Sequence, residues 1–203
     1  MGRVGLKAVR KFSLFRPGFR RWRPDQSFLE HAFDEAELQR TLNENNKIFG
    51  REELRRQVEE WRRAGKRVVL ANGAFDLLHV GHVRYLIAAK ALGGKLVVAI
   101  NSDQSVRALK GEGRPIVPQQ ERAEIVAALE PVDAVVIFPE LDVRAIIREI
   151  RPEIQAKGTD YTADSVPERD AVHEYGGRVE IVGDPKNHSS SHIIRSRLSS
   201  RKQ

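Results

Sequence analysis

Cysteine is absent from the 203-residue chain, and no apolar run is long enough to cross a membrane. Without cysteine the protein has no disulfide, no thiolate zinc site and no cysteine nucleophile. Because an 18-residue apolar run is missing, we expect no transmembrane helix and no membrane partner. Both absences fit a protein of the reducing cytoplasm, which is the location that we predict.

Acidic residues are missing from residues 1–23, which hold eight of the 35 basic residues. The other 180 residues carry 27 basic and 28 acidic side chains, so the net charge of +7 belongs to the N-terminal segment. Because the rest of the chain is nearly neutral and contains no base-reading motif, we expect no nucleic-acid partner.

The charge distribution also predicts two regions. Residues 1–47 are expected to form a basic tail and a short helical extension, with an amphipathic helix over residues 28–42. Residues 48–203 are expected to form the folded domain. The tail has several interpretations: a poorly ordered segment, a start codon placed too far upstream, an arginine-rich targeting peptide, or a segment that contacts phosphates or a membrane surface.

Short apolar runs alternate with helical patterns after residue 50. The predicted strands are residues 68–71, 96–100, 134–138, 154–156 and 178–182. The predicted helices are residues 51–64, 83–92, 119–129, 143–150 and 166–175, with a final helix that begins within 189–191. Continuous apolar strands between helices predict an α/β fold, a Rossmann-like doubly wound sheet of five parallel strands. In such sheets ligands bind at the carboxyl ends of the strands.

Two histidines follow the first predicted strand, where a short loop leads into a helix. Asn72 and Gly73 are expected to break the strand, and His-Val-Gly-His follows at positions 79–82. Free N–H groups and the helix dipole favour an anion at such a helix start. Gly81 allows a phosphate to approach the backbone closely, and imidazoles can donate to its oxygens. This loop therefore predicts a phosphate-binding site.

Three further breaks bring cations or hydroxyls to the same predicted edge of the sheet. Lys110 and Arg114 lie in a glycine-bearing loop, Lys157 precedes Gly158, and three serines at 189–191 open a helix. Taken alone, each break is also explained by ordinary surface charge or an ordinary helix cap. Together they predict a site for a triphosphate and a second phosphorylated molecule.

The stretch NGAFDLLHVGH resembles the signature of the cytidylyltransferase-like nucleotidyltransferases, whose HxGH motif grips nucleotide phosphates. Further motifs resemble the adenylyltransferase module of ADP-heptose synthesis over about residues 48–195. They are VVAINSD, LKGEGRPIVP, QQER, the VD pair at 132–133, KGTDY and SSSHIIR. The resemblance implies transfer of AMP from ATP to a heptose 1-phosphate, with Mg²⁺ accompanying ATP. No acidic cluster in the sequence defines a protein cage for that metal.

The resemblance also implies roles for individual residues. The catalytic residues would be His79, His82 and Lys110. The nucleotide-binding residues would be Asn72, Gly73, Ala74, Phe75, His79, Gly81, His82, Lys157, Gly158, Ser189, Ser190 and Ser191. The substrate-binding residues would be Asp76, Asn101, Asp103, Arg107, Arg114, Arg122, Asp160 and Tyr161.

The chain departs from the family pattern in several places. Ala74 replaces a usual cysteine, and Ser190 and Ser191 replace usual threonines. Residues 139–142 stand where a Thr-Pro commonly follows the third strand, which leaves the sugar specificity open. The sugar-kinase domain often fused ahead of this module is absent, so we expect a separate kinase upstream in the pathway. The sequence leaves the oligomeric state open, a homodimer included.

Two other functions are compatible with these motifs. One is a sister transferase that uses CTP with glycerol 3-phosphate or ethanolamine phosphate, or ATP with flavin mononucleotide. The other is a catalytically silent nucleotide-binding regulatory protein, which the retention of His79, His82 and Lys110 disfavours. The phosphate-binding residues would serve CTP and ATP equally, so the prediction of ATP depends on the LKG…RP and KG-x-DY motifs.

Overall fold

The computed structural model of the chain describes residues 47–184. The predicted helix over residues 28–42 and the serine-rich helix start at 189–191 lie outside these residues, and the division at residue 47 remains a prediction. None of the helices in the described range has the length and apolar character of a membrane span.

Within residues 47–184, six α-helices alternate with five strands. The helices are α1 (Arg51–Arg63), α2 (Val80–Ala91), α3 (Asp103–Lys110), α4 (Gln119–Ala127), α5 (Arg144–Ile150) and α6 (Arg169–His173). The strands are β1 (Val68–Gly73), β2 (Lys95–Asn101), β3 (Ala134–Phe138), β4 (Ile154–Lys157) and β5 (Arg178–Ile181). A short 3-10 helix, Ala163–Ser165, precedes α6.

The strands form one parallel sheet in the order β3-β2-β1-β4-β5. This order confirms the predicted Rossmann-like fold. The chain runs outward from β1 to β3 and then crosses back to β4 on the other side of β1. The strand order therefore reverses between β1 and β4, and a ligand cleft is expected beside their carboxyl ends.

Alternating side chains of β1 build two cores, one on each face of the sheet. Val68 and Leu70 join the core that α1, α5 and α6 cover, whereas Val69 and Ala71 join the core that α2 covers together with α4. All four side chains are fully buried. Because both faces are covered, strands with continuous apolar residues are stable in the middle of the fold.

Several element boundaries differ from the sequence predictions. Asn72 and Gly73 continue β1, since they pair with Ala99 and Ile100 of β2. Helix α2 starts at Val80, ahead of the predicted start at residue 83, which places both histidines of the motif at its first turn. Residues 109 and 110, predicted to lie in a loop, complete α3.

The helix predicted over residues 166–175 is confirmed only in its central part, as the five-residue α6. The separate 3-10 helix lies ahead of it. Val166 between them is extended, with φ −71° and ψ 118°. Its neighbour Pro167 accounts for the interruption, because a proline disfavours the helical conformation of the preceding residue.

Residues ahead of α1 extend the sheet in a way that the sequence did not predict. The Val135 N–H donates to the Lys47 carbonyl at 2.7 Å, and the Phe49 N–H donates to the Val135 carbonyl at 2.9 Å. Residue Ile48 thereby forms a parallel bridge with Val135 of β3. This pairing covers part of an edge strand that would otherwise expose its backbone groups.

Candidate active site

A pocket of about 690 Å³ opens at the carboxyl edge of the sheet, beside the reversal of strand order. It brings together most of the described site residues that the sequence predicted. These are Asn72, Gly73, Ala74, Phe75, His79, Gly81, His82, Asn101, Lys110, Lys157, Gly158, Asp160 and Tyr161. A volume of this size is in the range of small-molecule and cofactor sites.

The first turn of α2 holds the histidine pair at one wall of the pocket. His79 is the N-cap residue, and its backbone N–H donates to Nδ1 of His82 at 3.3 Å. The two imidazole rings lie 3.9 Å apart between centroids. Because Nδ1 of His82 accepts a hydrogen bond, the neutral ring carries its proton on Nε2. That N–H is a donor suited to a phosphate oxygen.

The surroundings of His82 keep it neutral at physiological pH. Burial, with smaller contributions from the neighbouring His79 and Lys110 side chains, lowers the pKa of His82 to about 4. The ring of Phe75 lies 5.2 Å from the His82 ring, on a residue with a left-handed φ of 46°. His82 therefore offers a fixed, uncharged donor, and Lys110 supplies a positive charge near it.

We expect an NMR titration to find His82 protonating near pH 4, well below an ordinary histidine. The unfolded chain binds this proton near pH 6.5 and the folded chain near pH 4. The stability that the neutral ring contributes is therefore complete above pH 6.5 and is lost as the pH falls toward 4. The resonance missing from His82→Ala assigns the signal, and a midpoint near 6.5 would contradict the burial of the ring.

Lys110 ends α3 at the rim of the pocket. Gly111 follows with φ 86° and terminates the helix, since a left-handed residue is the usual end of an α-helix. The lysine is exposed, so its ammonium can move toward a bound anion. This placement differs from the predicted loop, but it keeps the charge beside the histidines.

Lys157, at the end of β4, carries a charge that is already balanced. Its ammonium lies 3.1 Å from Glu168, and both side chains are only 7% exposed. The same ammonium stands 5.1 Å from the centre of the Tyr161 ring. This ion pair joins the end of β4 to the segment before α6. Lys157 also lines the pocket.

Several predicted substrate-binding residues lie outside the pocket lining. They are Asp76, Asp103, Arg107, Arg114 and Arg122. The Asp76 carboxylate is fully buried, 2.7 Å from Nε of Arg114, and it accepts hydrogen bonds from the N–H groups of Ile116 (2.7 Å) and Val117 (3.1 Å). Contacts of these residues with a substrate remain a prediction, whereas the bonds of Asp76 to Arg114, Ile116 and Val117 hold the 111–118 loop in place.

Arg122 completes the support of that loop from α4. Its guanidinium is fully buried and donates to the carbonyls of Val117, at 2.9 Å, and Ala74. It also pairs with Asp103 at 2.7 Å. The arginine thus joins the loop after β1, the start of α3 and the 111–118 loop, three segments that frame the pocket.

Sequence reasoning did not identify another group of residues in the pocket lining. They are Arg84, Tyr85, Val106, Leu109, Phe138, Leu141, Asp142, Arg144, Thr159, Pro167, Glu168, Val182, Gly183 and Asp184. Tyr85 could have been predicted, because it lies one helical turn after His82 and therefore on the same face of α2. Its hydroxyl donates to the Ala156 carbonyl at 2.8 Å. No motif marks the residues of the β3–α5 loop.

The described residues provide no cage for a metal. Within residues 47–184, no group of three or more His, Cys, Asp or Glu side chains is arranged to hold an ion.

The fold is a doubly wound sheet with a nucleotide-sized pocket at its carboxyl edge. Two histidines at a helix N-terminus and a lysine near them line this pocket, as in an enzyme of the nucleotidyltransferase type. A family model described as Cytidylyltransferase-like matches residues 70–198. The chain belongs to this family.

Curated relatives share a large part of the chain. The bifunctional protein HldE of Syntrophotalea carbinolica is 49% identical over 160 residues, which cover 79% of this chain and 33% of the relative. The bifunctional protein HldE of Geobacter sulfurreducens is 52% identical over 130 residues, which cover 64% of this chain and 26% of the relative. The matched part therefore spans about a third or less of these relatives.

A solved structure supports the fold. The lipopolysaccharide core biosynthesis protein from Thermoplasma volcanium GSS1 is 32% identical, with a TM-score of 0.50. The match covers 58% of this chain and 95% of that protein. The similarity extends over nearly the whole of a smaller protein, as expected if the described domain is a self-contained unit.

Proposed function

We propose that this enzyme transfers AMP from ATP to a heptose 1-phosphate and forms an ADP-sugar and pyrophosphate. Nucleotidyl transfer is carried by the Nε2–H donor of His82 at the start of α2, with Lys110 near it. The choice of ATP and a heptose depends on the LKG…RP and KG-x-DY motifs. The bifunctional HldE relatives and the lipopolysaccharide core biosynthesis protein support an activated sugar as the product.

In this reaction an oxygen of the sugar 1-phosphate attacks the α-phosphorus of ATP. The bond between that phosphorus and the oxygen bridging to the β-phosphate breaks, and pyrophosphate leaves with the electron pair. Because a phosphate monoester is already ionised at neutral pH, the nucleophile requires no general base. The protein therefore contributes positioning and charge stabilisation.

Different residues would position the phosphates and stabilise the charge. The N-terminus of α2 and the His79 and His82 rings would hold the α- and β-phosphates. Charge that develops on the leaving group would be stabilised by Lys110. The serines at 189–191, outside the described residues, would bind the β- and γ-phosphates.

Mg²⁺ is expected to enter with ATP, where it would neutralise charge on the triphosphate. The described part of the pocket fits this arrangement, because it lacks a cluster of acidic ligands that would hold the ion without the nucleotide. A sugar kinase would have to supply the acceptor, since the proposed reaction uses a sugar that is already phosphorylated.

CTP is the alternative nucleotide, since the family is described as Cytidylyltransferase-like. A panel of the four nucleoside triphosphates against heptose 1-phosphate, other sugar 1-phosphates, glycerol 3-phosphate, ethanolamine phosphate and flavin mononucleotide separates the possibilities. We expect pyrophosphate release to be fastest with ATP and heptose 1-phosphate. If CTP exceeded ATP about tenfold with every acceptor, equivalent to about 1.4 kcal/mol, the heptose proposal would fail.

A further inference from the structure

Two asparagines at the carboxyl ends of β1 and β2 lie on the same face of the sheet. Asn72 follows Val68 and Leu70 on the face that α5 and α6 cover, and Asn101 follows Val97 and Ala99 on the same face. Their strands pair so that Ala99 lies opposite Asn72, which makes the two asparagines diagonal neighbours. The histidines of α2 stand on the opposite face.

Hydrogen bonds to buried neighbours fix which atoms these asparagines present to the pocket. Nε2 of the fully buried Gln155 donates to Oδ1 of Asn72 at 3.5 Å, so Asn72 presents its NH2 group. Nδ2 of Asn101 donates to Oγ of Ser105 at 3.0 Å, so Asn101 presents its carbonyl oxygen. A donor beside an acceptor matches a hydroxyl group, which both donates and accepts.

Asp142 and Arg144 add charged groups on the same side of the pocket. Arg144 lies 2.5 Å from the Asp142 carboxylate and also donates to the Pro167 carbonyl. This arginine therefore connects the loop after β3 to the segment before α6. Its side chain remains 37% exposed and that of Asp142 44% exposed, so both keep polar atoms available to a ligand.

An apolar surface adjoins these groups. Leu109 and Leu141 line the pocket and are 56% and 61% exposed, respectively. Val106 and Phe138 lie in the same wall. Hydroxyl-binding groups next to exposed apolar side chains suit a sugar, which presents C–H surface between its hydroxyls.

We propose that Asn72, Asn101, Asp142 and Arg144 form a hydroxyl subsite that selects the sugar of the acceptor. This proposal rests on the proposed function. In-line transfer requires the acceptor and the leaving pyrophosphate to lie on opposite sides of the α-phosphorus. Because the α2 N-terminus on one face of the sheet binds the nucleotide phosphates, the acceptor approaches over the other face, where the hydroxyl subsite lies.

The test compares Asp142→Ala and Arg144→Ala with Arg148→Ala, a control on α5 that lies outside the pocket lining. We expect each subsite variant to raise KM for heptose 1-phosphate about tenfold and to leave KM for ATP within about twofold, because each loses a hydrogen bond made through a charged group. The control should change neither value. Asp142→Asn, which keeps the shape of the side chain, gives the same comparison if either alanine variant fails to fold.

Deoxy analogues of the acceptor give a second readout. Wild-type enzyme should discriminate against an analogue that lacks one sugar hydroxyl, and the variant that has lost the matching protein group should not. If the wild type is active and both variants keep the wild-type KM for heptose 1-phosphate, the hydroxyl subsite is overturned and the proposed function is retained. A parallel rise of KM for ATP would assign the residues to the nucleotide and overturn it as well. A wild type that uses no sugar 1-phosphate would overturn the proposed function together with the subsite.

Discussion

Replacement of His82 by alanine should lower kcat about 100- to 1000-fold, the usual cost of losing one preorganised donor to a developing oxyanion. The Nε2–H group of His82 is fixed by the hydrogen bond that its Nδ1 accepts from the His79 backbone. If that donor acts as the α-phosphorus is attacked, kcat and kcat/KM should fall together. Steady-state kinetics and a thermal melt on the same variant measure both effects.

Two further variants control this experiment. His82→Asn keeps an N–H donor with a shorter reach and should recover part of the lost activity. His173→Ala removes an exposed histidine of α6 outside the pocket and should leave kcat unchanged. A His82 that only capped the helix would cost about 1 kcal/mol of stability and leave turnover normal. Normal kcat in His82→Ala would therefore contradict the assigned role.

Replacement of Arg122 by leucine should lower the free energy of unfolding by about 2–4 kcal/mol, because each hydrogen bond made by a charged group contributes about 1.5–3 kcal/mol. The Asp103 side chain is 34% exposed, so water can solvate its charge when the arginine is lost. The variant loses the pair with Asp103 and leaves the Ala74 and Val117 carbonyls without their donor. Urea denaturation followed by circular dichroism measures the change.

Arg56→Leu is the matched control, because it removes an exposed arginine from α1. We expect it to change stability by no more than about 0.5 kcal/mol. Equal losses in the two variants would show that the buried bonds of Arg122 add nothing beyond the removal of a charged surface residue. A loss of stability in Arg122→Leu alone would establish that the buried bonds of this α4 residue stabilise the segments around the pocket.

The fold was predictable because its signals are local. The β-branched apolar runs are buried on both sides in the sheet, which leaves little ambiguity about their conformation. The placement of the histidine motif was also predictable, since a strand, a loop and a helix start follow one another in one continuous stretch. The start of the helix predicted at residue 166 was placed too early, because Pro167 disfavours a helical conformation of Val166.

The partners of charged residues were not predictable from local sequence. Arg114 and Lys157 looked alike, as cations in glycine-bearing breaks, but the fold pairs each with a carboxylate. The partner of Arg114 is Asp76, on the loop after β1, and the partner of Lys157 is Glu168, just before α6. Asp142 lies in the loop after β3 and Arg144 is the first residue of α5, and no motif marks either residue. They reach the pocket only because β2 and β3 lie side by side in the sheet, which places the loop after β3 next to the end of β2.

ATP labelled at the α-phosphorus or at the γ-phosphorus provides the most direct test of the proposed transfer. Each labelled nucleotide is incubated with the enzyme, Mg²⁺ and heptose 1-phosphate, and the products are separated. The proposed reaction places the α-label in the ADP-sugar and the γ-label in pyrophosphate, and both products require the acceptor. A γ-label attached to the sugar, or an α-label released as AMP whether or not the sugar is present, would contradict attack at the α-phosphorus.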